Sequence, residues 1–316
     1  MKPDLIVGDS GDGKTTLLGT AALRIYKATK KVSRLWTADP GGWGPLDALV
    51  RLKIVKVCDL NLIQGPIFEN LWLGVHGYWP DQTGKLVKTD LSDSGGFFFE
   101  GLTSFSEACL GSLADKVAGP DVVGQTFGPD PAVKFADGAR WIGSNGLSHY
   151  GIVQNEMLKL VNRSAKFNGQ VIWTAREKRG FDEGTKAGSQ IYGPELAGGA
   201  KTGSAPAWFG HCLGLETRPY EGPDPKLRGT LTRVLHTQKW FDKTNPRVPH
   251  LAKTRATPLE LFVRDFQVKD FKVPAECLIP AELDPSLEAF YDMYERTVEK
   301  SVEVLETLLK QQETKK

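Results

Sequence analysis

The first residues of the chain join a short apolar run to a glycine-rich loop, and this pairing constrains the fold more than any other feature. The apolar run is Leu5 to Val7, and residues 8–15 follow it with the sequence GDSGDGKT. This loop matches the pattern GxxxxGK[ST], in which glycines let the backbone curve so that successive N–H groups point at phosphate oxygens. Residues 16–26 continue with apolar side chains at helical spacing. A strand, a phosphate-binding loop and a helix are therefore predicted in that order.

Two side chains of this loop have separate predicted tasks. Lys14 would supply positive charge to the β- and γ-phosphates of a nucleotide, and Thr15 would supply a hydroxyl to Mg²⁺. The positive N-terminal end of the following helix adds to the attraction. The predicted nucleotide-binding residues are Gly8, Asp9, Ser10, Gly11, Asp12, Gly13, Lys14, Thr15 and Thr16.

Length, charge and cysteine spacing narrow the class of protein. The 316 residues suffice for one large domain or two modest ones, and the net charge of +2 says little about partners. No apolar run approaches the ~18 residues of a membrane span, and the N-terminus lacks a signal-peptide pattern. The four cysteines form no C-x-x-C pair, so neither a zinc site nor a disulfide framework is indicated. We expect a cytoplasmic protein (host cytoplasm if viral) with no membrane partner.

The rest of the chain alternates predicted strands with predicted helices. Such alternation indicates an α/β fold with a mostly parallel central sheet flanked by helices. Two glycine-rich segments interrupt it, an insertion or mobile loop at residues 115–148 and a second candidate mobile loop at 176–206. We expect one domain over residues 1–280, followed by a C-terminal helix within residues 281–316.

Polar side chains end three of the predicted strands. Asp39 follows the strand after the first helix, Glu100 ends the aromatic strand, and Thr174 ends the strand after the long central helix. Nucleotide hydrolysis needs an acid near Mg²⁺, a carboxylate that polarises water and a polar sensor of the γ-phosphate, all at the carboxyl ends of parallel strands. Glu100, Asp39 and Thr174 are the candidates for these roles, in that order. Each also has a purely structural alternative, as an ion pair, a turn cap or a strand residue.

One stretch late in the chain is strongly basic. Only one acid, Asp242, accompanies its basic residues, which are Lys226, Arg228, Arg233, Lys239, Lys243, Arg247, Lys253 and Arg255. Such a stretch suits polyphosphate or nucleic acid, and equally a solvated basic face.

The order of these parts resembles the RecA-like P-loop ATPases, most closely the phage-encoded members that act in DNA recombination and annealing. The resemblance covers roughly residues 4–260 and implies a P-loop NTPase fold of RecA-like type that binds ATP and Mg²⁺. It implies that Asp39 activates water, that Glu100 holds magnesium with Thr15 where the family has aspartate, and that Thr174 is the sensor. In filaments and rings of the family, a late strand with Lys-x-Arg reaches the ATP of the neighbouring subunit. Lys253 and Arg255 match that pattern.

The resemblance further implies a homo-oligomer, ring or filament, that binds DNA, single-stranded first. The segment after Thr174 would carry the DNA contacts, and their candidates are Arg176, Lys178, Arg179, Lys186 and Lys201. Three other functions remain open at this point. They are a nucleotide or small-molecule kinase, a DNA-packaging or other motor, and a non-hydrolysing scaffold or loader gated by nucleotide.

Overall fold

The computed structural model describes residues 2–39, 41–118, 133–134, 140–141, 147–181, 190–197, 205–242, 245–254 and 272–314. Its helices are α1 Lys14–Thr29, α2 Asp47–Arg51, α3 Ile67–Val75, α4 Leu102–Ala118, α5 Leu147–Ser164 and α6 Leu287–Thr314. Its first strands are β1 Asp4–Gly8, β2 Val32–Thr37, β3 Val55–Asp59, β4 Tyr78–Pro80, β5 Leu86–Lys88, β6 Ser94–Glu100, β7 Val133–Lys134 and β8 Arg140–Trp141. The later strands are β9 Gln170–Phe181, β10 Gln190–Pro194, β11 Cys212–Pro219, β12 Leu231–His236, β13 Trp240–Asp242, β14 Asn245–His250 and β15 Glu282–Leu283.

One large sheet organises the described part of the chain. Its central strands run in the order β3-β2-β6-β9-β1-β11-β12-β15. The neighbours from β3 to β11 are parallel, whereas β12 and β15 are antiparallel additions at one edge. The predicted α/β fold with a mostly parallel sheet is therefore confirmed. Because the strands are parallel, the carboxyl ends of β1, β2 and β6 meet at one edge of the sheet, which β9 passes before it ends at Phe181.

Helices cover both faces of this sheet, which explains why the central strands are apolar on both sides. In β1, Leu5 and Val7 belong to the core beneath α3, α4 and α5, while Ile6 belongs to the core beneath α1 and α6. The phenylalanine side chains of β6 are likewise shared between these two cores. Phe99 stacks between Trp36 of β2 and Trp173 of β9, with ring centroids 4.9 and 4.4 Å apart. These stacked rings connect β2, β6 and β9, the strands that lead to the polar residues singled out by the sequence.

The segment 176–206, predicted as a loop, is in part regular structure. Strand β9 continues past Ala175 to Phe181, and β10 pairs with this extension in an antiparallel manner. Strands β14 and β13 then extend the sheet beyond β10. The prediction of an irregular segment was wrong here because the charged residues 176–179 leave no apolar run to indicate a strand. The hairpin of β4 and β5 was also missed, because each of its strands has only three residues within a polar, turn-rich stretch.

The C-terminal helix is present as α6, and it packs against α1. Its contact face includes Leu287, Phe290 and Tyr291, all buried in the core beneath α1. Tyr291 donates a hydrogen bond of 2.7 Å to Asp4 at the start of β1. The helix therefore belongs to the same packed body as the sheet.

No helix among the described residues is long and apolar enough to cross a membrane. The predicted insertion at 115–148 falls largely outside the described residues.

Candidate functional site

The predicted phosphate-binding loop connects β1 to α1, and its three glycines meet two different steric demands. Gly11 and Gly13 have φ angles of 91° and 97°, in the left-handed region that favours glycine. Gly8 instead lies against β11, where an added Cβ would approach the carbonyl oxygen of Leu215 to 2.6 Å. Gly13 directly precedes the first residue of α1. The loop thus curves over the positive end of this helix, as a phosphate site requires.

The side chain of Asp12 supports the backbone of the loop. Asp12 is buried, and its Oδ2 accepts a hydrogen bond of 2.6 Å from the backbone N–H of Asp9. Gly8, Asp9 and Asp12 are not among the residues that line the adjoining cleft. The face toward the adjoining cleft comes from Ser10, Gly11, Gly13, Lys14, Thr15 and Thr16.

Lys14 is folded back over the loop. Its Nζ donates hydrogen bonds of 2.8 and 2.7 Å to the carbonyl oxygens of Gly8 and Asp9. Burial lowers the pKa of the Lys14 ammonium, and the carboxylates of Asp12 and Asp9 act in the opposite direction. The lysine is held by neutral carbonyls at the cleft, so a phosphate oxygen would be a stronger acceptor for the same N–H groups.

Thr15 and Glu100 meet at the base of the cleft. The Thr15 hydroxyl donates a hydrogen bond to Oε1 of Glu100, the last residue of β6. Glu100 is 4% exposed, and its Oε2 is buried without a hydrogen-bond partner among the described residues. Burial raises the pKa of the Glu100 carboxyl, and the hydrogen bond from Thr15 lowers it in part. A hydroxyl and a buried carboxylate thus converge where the sequence predicts magnesium.

Asp39 lies two residues beyond the end of β2 and is half-buried. Its Oδ1 accepts a hydrogen bond of 2.6 Å from the hydroxyl of Ser104 in the first turn of α4. Its backbone N–H donates to the hydroxyl of Thr37 at 3.1 Å. These contacts fix the carboxylate at the cleft. The positioning by Ser104 was not predicted, because it depends on how α4 leaves the sheet after Glu100.

Thr174 is buried at the point where β9 passes the turn after Glu100. Its hydroxyl accepts a hydrogen bond of 3.0 Å from the backbone N–H of Gly101. The same hydroxyl keeps its own proton available for donation. Thr174 borders the cleft together with Glu100 and Asp39. The structure therefore brings together the three residues that the sequence singles out, but Thr174 lies inside β9, and the prediction that it ends its strand was wrong.

The cleft that these groups share has a volume of about 820 Å³, within the range of small-molecule sites. Besides the loop residues, its polar lining includes Asp39, Glu100, Thr103, Ser104, Glu107, Thr174, Arg176 and Arg233. Cations and acids therefore face one another across this space.

Of the predicted DNA contacts, Arg176 and Lys178 are paired with acids of the same chain. Arg176 contacts Glu107 at 2.9 Å and Glu195 at 3.3 Å, and Lys178 contacts Glu195 at 2.9 Å. Arg179 lies in β9, where its backbone pairs with Tyr192. Lys186 and Lys201 lie outside the described residues.

Lys253 lies at the other end of the sheet from the phosphate-binding loop. Its backbone exchanges hydrogen bonds of 2.9 and 2.7 Å with Cys212, which pairs with Leu5 near the start of β1. Three strand residues, roughly 10 Å, separate Leu5 from Gly8. Lys253 therefore does not border the cleft of its own chain. Arg255, its predicted companion, lies outside the described residues.

Arg233 of β12 is a residue of the cleft that the sequence did not single out. Its Nε lies 3.2 Å from the position that a Cβ on Gly13 would take. The only signal in the sequence is its membership of the basic stretch that begins at Lys226. That stretch contains eight cations, and nothing in the sequence distinguishes the one that β12 brings to the loop.

The fold and the site together define an α/β protein with a phosphate-loop turn between its first strand and first helix. No protein-family model matches the chain, and no curated protein matches it. Among solved structures, it is similar to a KaiC-like protein from the hyperthermophilic archaeon Pyrococcus horikoshii OT3. That similarity covers 74% of this chain and 77% of the other, with 8% sequence identity and a TM-score of 0.37. At this level of similarity, the function has to be inferred from the residues of the chain itself.

Proposed function

We propose that the chain is a magnesium-dependent ATPase of RecA-like type. The observation that carries the proposal is the contact between Thr15 and Glu100, with Asp39 bordering the same cleft. A loop that only binds phosphate has no need of two further carboxylates at the ends of neighbouring strands. This arrangement of loop, Glu100 and Asp39 favours hydrolysis over passive binding.

The donor set at Glu100 fits magnesium. Oxygen ligands suit this ion, and the buried Oε2 of Glu100 lacks a hydrogen-bond partner among the described residues. The described residues contain no cluster of three or more His, Cys, Asp or Glu side chains that could hold a metal. Mg²⁺ usually keeps several waters and substrate phosphates as ligands, so Thr15 and Glu100 would be its contacts from the protein. When bound, the ion would neutralise charge on the phosphate oxygens.

The remaining side chains divide the chemistry among them. Lys14 exchanges the carbonyl oxygens of Gly8 and Asp9 for phosphate oxygens of ATP. Asp39, oriented by Ser104, accepts a proton from the attacking water. The water oxygen forms a bond to the γ-phosphorus while the bond between the γ-phosphorus and the β–γ bridging oxygen breaks. The Thr174 hydroxyl is positioned to donate to the γ-phosphate. The products are ADP and inorganic phosphate.

A second part of the proposal concerns the binding partners of the protein and its biological role. We propose that the protein assembles on DNA, single-stranded first, in phage recombination, annealing or replication, with Lys253 and Arg255 reaching the neighbouring subunit. This part rests on the resemblance in sequence and on the basic residues that follow Thr174. Arg176 and Lys178 would have to exchange Glu107 and Glu195 for DNA phosphates.

Phosphate release tests the proposal. Wild type, Lys14→Ala and the exposed control Lys27→Ala are compared with Mg²⁺ or EDTA, and with or without single-stranded DNA. We expect release by wild type and the control only when Mg²⁺ is present, and none by Lys14→Ala. No release by wild type under any condition would refute the ATPase, and phosphorylation of an added acceptor in place of hydrolysis would indicate a kinase.

A further inference from the structure

Arg233 brings a positive charge to the phosphate-binding loop from the same chain. It lies on β12, two strands from β1 across β11, and its side chain reaches back to Gly13 at the start of α1. Gly13 has no side chain, and the guanidinium group occupies the space beside it. An alanine Cβ there would lie 3.2 Å from Nε and 3.5 Å from Cδ of Arg233. The glycine thus lets a cation approach the backbone N–H groups that would face phosphate.

No acid of the described residues neutralises this cation. Arg218 on the adjacent strand is different, since it contacts Glu282 at 2.8 Å and Glu216 at 3.7 Å. Arg233 makes no ion pair with the described residues, and it borders both the cleft and a second groove beside Tyr220. An exposed arginine that is directed at a phosphate loop and has no counter-ion in the described part of the chain is suited to binding an anion.

The order of the strands indicates which phosphate Arg233 would meet. Glu100 ends β6 and Asp39 follows β2, and both strands lie on the β9 side of β1. Arg233 lies on the opposite side, beyond β11. If the terminal phosphate of ATP lies between Glu100 and Asp39, the phosphate nearest the nucleoside lies toward β12.

We propose that Arg233 binds the α-phosphate of the nucleotide within its own subunit. This inference rests on the proposed function and adds a cation that acts in cis, distinct from the predicted Lys253 and Arg255 of a neighbour. The planar guanidinium donates two parallel hydrogen bonds to a phosphate, whereas a lysine donates from a single point. The α-phosphate is common to ATP and ADP, so Arg233 contributes equally to the binding of both.

Calorimetric titration of ATP and ADP tests this assignment in wild type, Arg233→Gln, Arg233→Lys and Arg228→Gln. Arg228 is an exposed arginine of the same basic stretch and does not border the cleft, so it controls for the loss of one positive charge. We expect Arg233→Gln to weaken both nucleotides by the same factor, about tenfold, because hydrogen bonds to charged groups contribute that much. Arg233→Lys should recover part of the affinity, and Arg228→Gln should bind as wild type does.

Steady-state hydrolysis adds a second test, because a merely structural role of Arg233 would not give the following pattern of KM and kcat. Arg233→Gln should raise KM for ATP and leave kcat within about twofold, because the α-phosphate contact is the same in ground and transition states. Unchanged binding of both nucleotides by Arg233→Gln would overturn the inference and leave the proposed function intact. A loss for ATP alone would overturn it too, since the guanidinium would then contact the γ-phosphate. Failure of wild type to bind either nucleotide would refute the proposed function, and this inference with it.

Discussion

The hydroxyl of Thr15 donates a hydrogen bond to Oε1 of Glu100, and this bond joins the first turn of α1 to the end of β6. The two residues are 85 positions apart in the chain. They meet because β9 alone separates β1 from β6 in a parallel sheet. The contact places a hydroxyl and a carboxylate beside the phosphate-binding loop, which is the arrangement that a magnesium nucleotide needs.

Replacing Glu100 by glutamine should abolish most of the activity. The amide keeps the size of the side chain and loses the negative charge. We expect kcat to fall about 100-fold, which is typical when an enzyme loses a group that stabilises charge in the transition state. Rates of phosphate release measured across a Mg²⁺ titration check this. The exposed Glu299→Gln on α6 is the matched control. A Glu100→Gln enzyme with the wild-type rate and Mg²⁺ dependence would remove Glu100 from the site.

Two glycine substitutions should change stability in opposite directions. Gly8→Ala would force a Cβ to within 2.6 Å of the Leu215 carbonyl oxygen, and shifting the backbone of β1 or β11 should cost about 1–3 kcal/mol. Gly111 of α4 has no atom within 4 Å of an added Cβ, so Gly111→Ala should stabilise the helix by about 0.5–1 kcal/mol. Denaturant unfolding measures both, and equal effects would contradict the close approach of β11 to the loop.

The buried carboxyl of Asp4 should make stability depend on pH. It accepts hydrogen bonds from the Tyr291 hydroxyl at 2.7 Å and from the His211 backbone at 2.9 Å, and burial raises its pKa from 3.8 to about 6. The folded state therefore binds a proton that the unfolded state releases between these two values. The resulting stabilisation is complete below pH 3.8 and is lost as the pH rises through 6.

Asp4→Asn tests this dependence. Between pH 4 and pH 7 the free energy of unfolding of wild type should fall by about 2 kcal/mol relative to the variant, at 1.36 kcal/mol per pKa unit and with the unfolded carboxyl already partly ionised at pH 4. The exposed Asp284→Asn should keep the pH profile of wild type. Parallel profiles for wild type and Asp4→Asn would contradict the raised pKa.

Glu195 should compete with DNA for the cations that follow Thr174. It contacts Arg176 at 3.3 Å and Lys178 at 2.9 Å, so Glu195→Gln would release Lys178 and would leave Arg176 paired with Glu107 alone. If these cations bind DNA phosphates, the variant should bind single-stranded DNA severalfold more tightly, with a steeper dependence on salt. Fluorescence anisotropy across a salt series measures this, with Glu299→Gln as control. Unchanged affinity and slope would exclude Lys178 from the DNA contacts.

The parts of the site that could be predicted are those that depend on neighbours in sequence and on the rule that parallel strands align their carboxyl ends. The phosphate-binding loop follows from its own residues, and Asp39, Glu100 and Thr174 follow from ending apolar runs. Their meeting in one cleft needed only a parallel sheet. Their catalytic roles remain predictions.

What could not be predicted depends on contacts between distant segments. Arg233 reaches Gly13 because β12 lies beside β11, and a sequence of eight scattered cations carries no sign of that pairing. Ser104 reaches Asp39 because of the direction in which α4 leaves β6. The extension of β9 to Phe181 was hidden by charged residues that pair their backbone with β10.

Separating ATP binding from hydrolysis in Asp39→Asn tests the central claim most directly. If Asp39 accepts the proton of the attacking water, kcat should fall at least about 100-fold, because general-base catalysis contributes 10²–10⁴-fold. The dissociation constant for ATP should stay within about threefold of wild type, since Lys14 and the loop are unchanged. An Asp39→Asn enzyme that hydrolyses ATP at the wild-type rate, or that loses activity only because it no longer binds ATP, would contradict this assignment.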